Sequence, residues 1–355
     1  MTAPAGIWDC DIHPYLRAAT DLEPWLPRRW IEHQRSYGAL RQTPLVTGSS
    51  YHKSQPNAGR RDAYPPEGGP QGSSVSFLRE QLLDAYNIGG GILNPLIASQ
   101  GVRNLDHSAA LCRAINHWQA ETWVDAEPRL RASIVIPYED PDAAAAEIRR
   151  WATDRRFAQI LLLSRTSFLP GNRRYWPIYE AAADAGIPIG IHAFGNSGWP
   201  VSSAGWPSFY MEEMIGHAQS SQAGLTSLVI EGVFERWPAL KVILVESGFT
   251  WAPSLMGRLD KHWKTLKSEV PHLRLAPSEY IRRNVWWTSQ PMDEPENRRY
   301  LADIFAWLGW DRIMFSSDYP HWDFDDPSRV LLFPANDEQK HAFFTGNAQA
   351  VYGTR

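Results

Sequence analysis

Charge and cysteine are both scarce in this chain, and each scarcity removes a class of function. Asp, Glu, Lys and Arg make up 21% of the 355 residues, and 35 basic against 39 acidic side chains leave a formal net charge of −4. No block of Lys and Arg interleaved with aromatics occurs, so nucleic acid is not expected as a partner. Cys10 and Cys112 are the only cysteines, with no CxxC, which leaves no disulfide framework. No apolar run approaches the ~18 residues needed to span a bilayer, and the opening Met-Thr-Ala-Pro-Ala-Gly has no basic stretch leading into an apolar one. A cytoplasmic location without a membrane partner is the expectation.

What the chain has in quantity is apolar and aromatic material: 43% hydrophobic residues, with 17 Trp, 13 Tyr and 13 Phe. Eight short apolar, β-branched runs recur along it, namely Gly6–Cys10, Ile88–Leu93, Arg131–Ile136, Gln159–Leu163, Ile187–Ile191, Lys241–Val245, Val285–Thr288 and Arg312–Ser316. Most are continuously apolar, as parallel strands covered on both faces require. Helical patterns separate most of them. Asn104–Asp125 runs to a Glu-Pro stop, Asp140-Pro141 caps an Ala-rich run, and Tyr175–Ala185 ends at Gly186. Leu225–Arg236, Glu296–Leu308 and Asp337–Tyr352 follow. This alternation predicts a single (β/α)8 TIM barrel spanning residues 1–355. A doubly wound open sheet is second, weakened because no GxGxxG follows the first strand. Segments 41–74 and 194–210, rich in Gly, Pro and Ser, read as long loops over the barrel mouth.

Candidate chemistry sits at predicted strand ends. Asp11 and His13 are two apart on a strand, so they share a face and can offer a divalent metal one oxygen and one nitrogen. His192 ends the fifth run and Asp318 follows the eighth, where it can bind a metal or accept a proton. Each has a bland alternative, a packed His or a capping Asp. The order of first, fifth and eighth strands places all four on one rim. Glu246 follows the sixth strand, either serving a ligand or pairing with a cation such as Arg258. His321 is three residues past Asp318 and can donate to a substrate. Trp199, Trp206, Trp251 and Trp322 can wall a pocket for a flat substrate, or simply pack loops. Glu213 and His217, one helical turn apart, read as a solvated helix face.

Six segments together resemble one family: IWDCDIHP, EPRLRASIVIPYEDPDAAAAEIRR, IGIH, EGVFERWPALKVILVESGFTWAPSLMGRLDKHW, RIMFSSDYPHWD and FFTGNAQAVYG. They are similar to the amidohydrolase-related family that includes aminocarboxymuconate semialdehyde decarboxylase and the γ-resorcylate decarboxylases. That resemblance implies one divalent metal held by Asp11, His13, His192 and Asp318, Zn²⁺ first and Mn²⁺ second, in a homodimer. Many relatives carry His or Glu at the Asp11 position. Decarboxylating relatives carry a His, and some a Glu three residues on, after the sixth strand, where this chain has Glu246 and Phe249.

The missing His tips the expected reaction toward hydrolysis of a small aromatic or unsaturated carboxylate-type substrate. In it a metal ion acidifies water and Asp318 takes the proton. The alternative is non-oxidative decarboxylation of an aromatic or muconate-type acid. A barrel that has lost activity and serves as a binding scaffold is a third reading, disfavoured by the retained ligand set.

Overall fold

A computed structural model describes residues 6–38, 58–195 and 200–353. Eight strands form one sheet in chain order, every pair parallel: β1 Ile7–Ile12, β2 Ile88–Leu93, β3 Leu130–Val135, β4 Phe157–Arg165, β5 Ile189–Gly195, β6 Val242–Val245, β7 Val285–Thr288 and β8 Ile313–Met314. Cys10 N donates to Phe315 O at 3.0 Å and Ile12 bridges Tyr319, bringing the last strand against the first. The architecture is the (β/α)8 barrel, and each predicted apolar run overlaps a strand.

Local chemistry places the helices between them. The Asn104 side chain accepts from His107 N at the start of Leu105–Trp118, and that of Asp140 from Ala143 N at the start of Pro141–Trp151. Gly186, at φ 62°, stops Trp176–Ala185 in the left-handed conformation that glycine tolerates. The predicted Leu225–Arg236 helix is longer than its pattern: the chain turns helical at Tyr210 and runs to Ile230, with Val233–Arg236 as a separate turn. Among the described residues, no helix is long and apolar enough to cross a membrane.

The core divides in two. Between strands and helices lies a jacket that includes Leu111, Ile115, Ile148, Ile178, Leu228 and Phe305. A smaller cluster joins Cys10, Ile92, Ile243, Val245 and Met314, from strands on different sides of the sheet, with Ala348, Val351 and Tyr352 of the last helix. This is the filled lumen of a small barrel, closed by the C-terminal helix.

The described part of the first loop, 58–74, packs against the segment after β8. Arg60 N donates to Pro320 O at 2.8 Å, Trp322 N to Ala58 O at 2.7 Å, and Tyr15 N to Gly72 O at 2.8 Å. This described part therefore lies beside the segments that follow β1 and β8. Residues 41–57 of that loop, and 196–199 of the second, lie outside the described residues.

Candidate metal centre

Asp11, His13, His192, Glu246 and Asp318 are all buried at the C-terminal ends of β1, β5, β6 and β8. His13 Nδ1 lies 2.7 Å from Asn94 O, and His192 Nδ1 lies 2.6 Å from Ala193 O. A carbonyl only accepts, so both Nδ1 atoms carry hydrogen, and with an ion bound each Nε2 would turn a lone pair toward it. What those nitrogens face is carboxylate oxygens. His13 Nε2 is 2.8 Å from Asp318 Oδ1 and 3.3 Å from Asp11 Oδ1; His192 Nε2 is 3.3 Å from Asp11 Oδ2 and 3.2 Å from Glu246 Oε2. Asp11 Oδ2, His13 Nε2, His192 Nε2 and Glu246 Oε2 are buried without a hydrogen-bond partner. Leaving four such atoms unsatisfied is costly. A divalent cation among them removes the cost, so the residues fit the ion that the resemblance implies.

Two overlapping sets bring ligand atoms within 4.8 Å of one another: Asp11, His13, His192 and Glu246, and His13, Glu246, Asp318 and His321. The surrounding groups fix their orientation. Asn94 Nδ2 donates to Asp11 Oδ1 at 2.9 Å, while Asn94 Oδ1 accepts from Ser133 Oγ and Gln159 Nε2, each at 2.9 Å. Tyr352 Oη donates to Gln159 Oε1 at 3.0 Å, so a polar chain runs from the barrel floor to a ligand carboxylate. Asp9 accepts from Ser317 N, Ser317 Oγ and Asp11 N, joining the ends of β1 and β8. Asp318 Oδ1 lies 2.7 Å from His321 Nδ1, Gln290 Nε2 donates to Asp318 Oδ2 at 3.3 Å, and Tyr15 Oη lies 2.9 Å from His321 Nε2.

The charges pull on one another. Burial alone would raise the Asp11 carboxyl, but His13 and His192 outweigh it and hold it well below the usual carboxylate range. Burial likewise opposes ionisation of Asp318, which His321 and His13 still keep below its ordinary value. Glu246 goes the other way: burial, then the charges of Asp318, Asp323 and Asp11, push it well above. Burial and Asp318 push Asp323 up to about 8. So many inward carboxylates create a negative well suited to a cation.

The other sequence candidates scatter. His321 joins the centre. Trp322, 53% exposed, stands beside the mouth with its ring 6.4 Å from Tyr210. Trp206 lines a separate apolar cleft of about 730 Å³ with Phe209, Met211 and Ile215, which contains none of the metal-centre residues. Trp251 packs on the core and donates Nε1 to Ser247 O at 3.0 Å. Trp199 falls outside the described residues. Arg258 is exposed, so the alternative that paired Glu246 with it gives way to the contact with His192. The solvated reading of Glu213 and His217 is corrected: both are buried, and the Phe194 ring lies 4.4 Å from the His217 ring, tilted by 59°. Sequence reasoning missed Tyr15, Asn94, Gln159 and Gln290; the available signal was a polar residue set at or just beyond an apolar run.

Because Asn94 holds Asp11, Asn94→Ala should weaken metal binding by the ~10–100-fold typical of losing an outer partner. It should also cost ~1–3 kcal/mol of stability, since Ser133 or Gln159 loses its acceptor. Metal titration and a denaturation curve check the two effects; unchanged metal affinity would contradict this role.

A barrel with this rim of imidazole and carboxylate belongs to the amidohydrolase family, whose model matches residues 8–354. Gamma-resorcylate decarboxylase of Rhodococcus jostii is 25% identical over 259 residues, covering 69% of this chain and 77% of its own. The solved 5-carboxyvanillate decarboxylase of Sphingomonas paucimobilis has a TM-score of 0.73 at 23% identity, over 98% of this chain and 99% of that one. Its counterpart from Novosphingobium aromaticivorans, complexed with manganese, has a TM-score of 0.74 at 18% identity, over 98% and 96%. The hydrolase expectation is thereby corrected. Decarboxylases recur among the relatives, including one for 2-amino-3-carboxymuconate-6-semialdehyde in Dictyostelium discoideum, and support falls on the decarboxylase alternative.

Proposed function

We propose that this chain is a metal-dependent, non-oxidative decarboxylase of a small aromatic or muconate-type carboxylic acid. The observation that carries the reading is the convergence of four buried, unpartnered ligand atoms at the barrel mouth, in a chain whose relatives are decarboxylases. Asp11, His13 and His192 would hold the ion. Two imidazoles with carboxylates suit both Zn²⁺ and Mn²⁺, and the manganese of the Novosphingobium neighbour favours Mn²⁺. When bound, the ion supplies a Lewis acid that fixes and polarises substrate oxygens.

The remaining work falls to the chain. Losing CO₂ from a ring carboxylate requires a proton on the carbon that carried it: R–COO⁻ and H⁺ give R–H and CO₂. Tyr15 Oη, His321 Nε2, His321 Nδ1 and Asp318 Oδ1 form a line with gaps of 2.9 and 2.7 Å. A proton moved along it ends on Asp318, at the inner rim, and Gln290 keeps that carboxyl in place. His321 thus acts as the relay in place of the His that decarboxylating relatives carry after the sixth strand. Trp322 and Tyr210 offer aromatic faces at the mouth for a flat substrate. A cytoplasmic homodimer is part of the same proposal.

The test is a panel of ortho-hydroxylated aromatic acids and muconate-type acids, offered to Mn²⁺-loaded protein with CO₂ measured. Release from at least one class is expected. Ester, lactone or amide cleavage without any CO₂ would overturn the proposal.

A further inference from the structure

We propose that Glu246 is itself a protein ligand of the metal ion, beside Asp11, His13 and His192. This rests on reading the centre as a divalent-metal site. Of the two sets of converging ligand atoms, only His13 and Glu246 belong to both. An ion seated in either set meets Glu246.

The side chains agree. Glu246 Oε2 is buried with no hydrogen-bond partner and lies 3.2 Å from the inward Nε2 of His192. With an ion bound, Asp11 and Glu246 would supply the two negative charges that neutralise it, and the two imidazoles two nitrogen donors.

The backbone is bent to achieve this. Ile243 and Val245 of β6 face the lumen cluster. Strand alternation would turn the next side chain outward, toward the helices. Glu246 instead takes φ 50°, in the left-handed region, and its N–H donates to Thr288 Oγ1 at 3.1 Å. That turn returns the carboxylate to the inner face. A non-glycine residue adopts this conformation at an energetic cost, and such residues concentrate at functional sites. Among the described residues only Asn87, Phe194, Glu246 and Asp318 do so, and the last three follow β5, β6 and β8 or end them at the mouth.

The experiment strips metal from the wild type, Glu246→Gln, Glu246→Asp, Asp318→Asn and Asp11→Ala, then titrates Mn²⁺ and follows free Mn²⁺ by electron paramagnetic resonance. Visible spectra of the Co²⁺-loaded proteins report the ligand set directly. Glu246→Gln should bind Mn²⁺ at least ~100-fold more weakly, beyond the ~10–100-fold of an outer partner, and should shift the Co²⁺ bands. Asp318→Asn, whose amide oxygen can still face the ion, should stay within about tenfold of wild type. Should Glu246→Gln fail to fold by circular dichroism, Glu246→Asp must still shift the Co²⁺ bands, because a shorter carboxylate changes the coordination distance. Glu246 variants with wild-type affinity and spectrum would overturn the assignment while sparing the metal centre. A wild type that takes no stoichiometric Mn²⁺, or Asp11→Ala binding as well as wild type, would bring down the centre and the assignment together.

Discussion

Asp318→Asn should lower turnover at least ~10²–10⁴-fold, the range for losing a positioned proton donor or acceptor, while most of the metal stays bound. The amide keeps the size of the carboxyl and an oxygen in the rim. Its nitrogen cannot pass a proton from His321 to substrate, and it cannot hold the charge that pairs with His13 and His321. Measured kcat should fall with little change in KM, because the lost interaction belongs to the proton-transfer step rather than to substrate binding. His321→Gln should follow in the same direction by a smaller factor, since Tyr15 and solvent still reach the neighbourhood of Asp318. An Asp318→Asn protein with near wild-type kcat would remove the relay.

The second large effect is the loss of the metal itself. His192→Ala should purify without stoichiometric Mn²⁺ and without measurable turnover, yet fold as a barrel. Its Nε2 is the atom that faces both Asp11 and Glu246. Without it those carboxylates crowd a buried space that no longer offers a nitrogen ligand. The scaffold survives because the jacket of apolar contacts does not involve this side chain. Ligand linkage gives an independent readout: metal at 100 times Kd stabilises by about 2.7 kcal/mol. Added Mn²⁺ should therefore raise the wild-type melting temperature and leave that of His192→Ala unchanged. One tightly bound Mn²⁺ per His192→Ala chain would contradict the assignment.

The strands were legible because burial on both faces writes continuous apolar runs, and the rim residues because they stand where those runs end. Asp11 and His13 needed only the two-residue period of a strand. Glu246 was harder: by that same period it faces away from its neighbours, and only the left-handed turn at φ 50° brings it inward. Asn94, Ser133 and Gln159 were missed because a single polar residue beside an apolar run does not announce its partners, which come from three different strands or strand ends. Glu213 and His217 were misread as solvated because the first half of Tyr210–Ile230 carries little apolar periodicity and is mostly exposed or half-buried, so the burial of these two side chains left no pattern. The Trp residues carried no positional code; Trp206, Trp251 and Trp322 each serve a different surface. Hydrolysis was expected from one missing His, but the donors that hold a metal are the same for either reaction. What separates the two is the source of a proton, and that depends on the Asp318–His321–Tyr15 line, which joins residues 306 apart in sequence.

The most direct test follows the atoms. Mn²⁺-loaded protein is given an ortho-hydroxylated aromatic acid once in D₂O and once in H₂¹⁸O, and the products are read by mass spectrometry. The account predicts one CO₂ per substrate consumed, one solvent deuterium on the carbon that bore the carboxylate, and no ¹⁸O in the organic product. Solvent oxygen in the organic product, with no CO₂ and no carbon-bound deuterium, would contradict it.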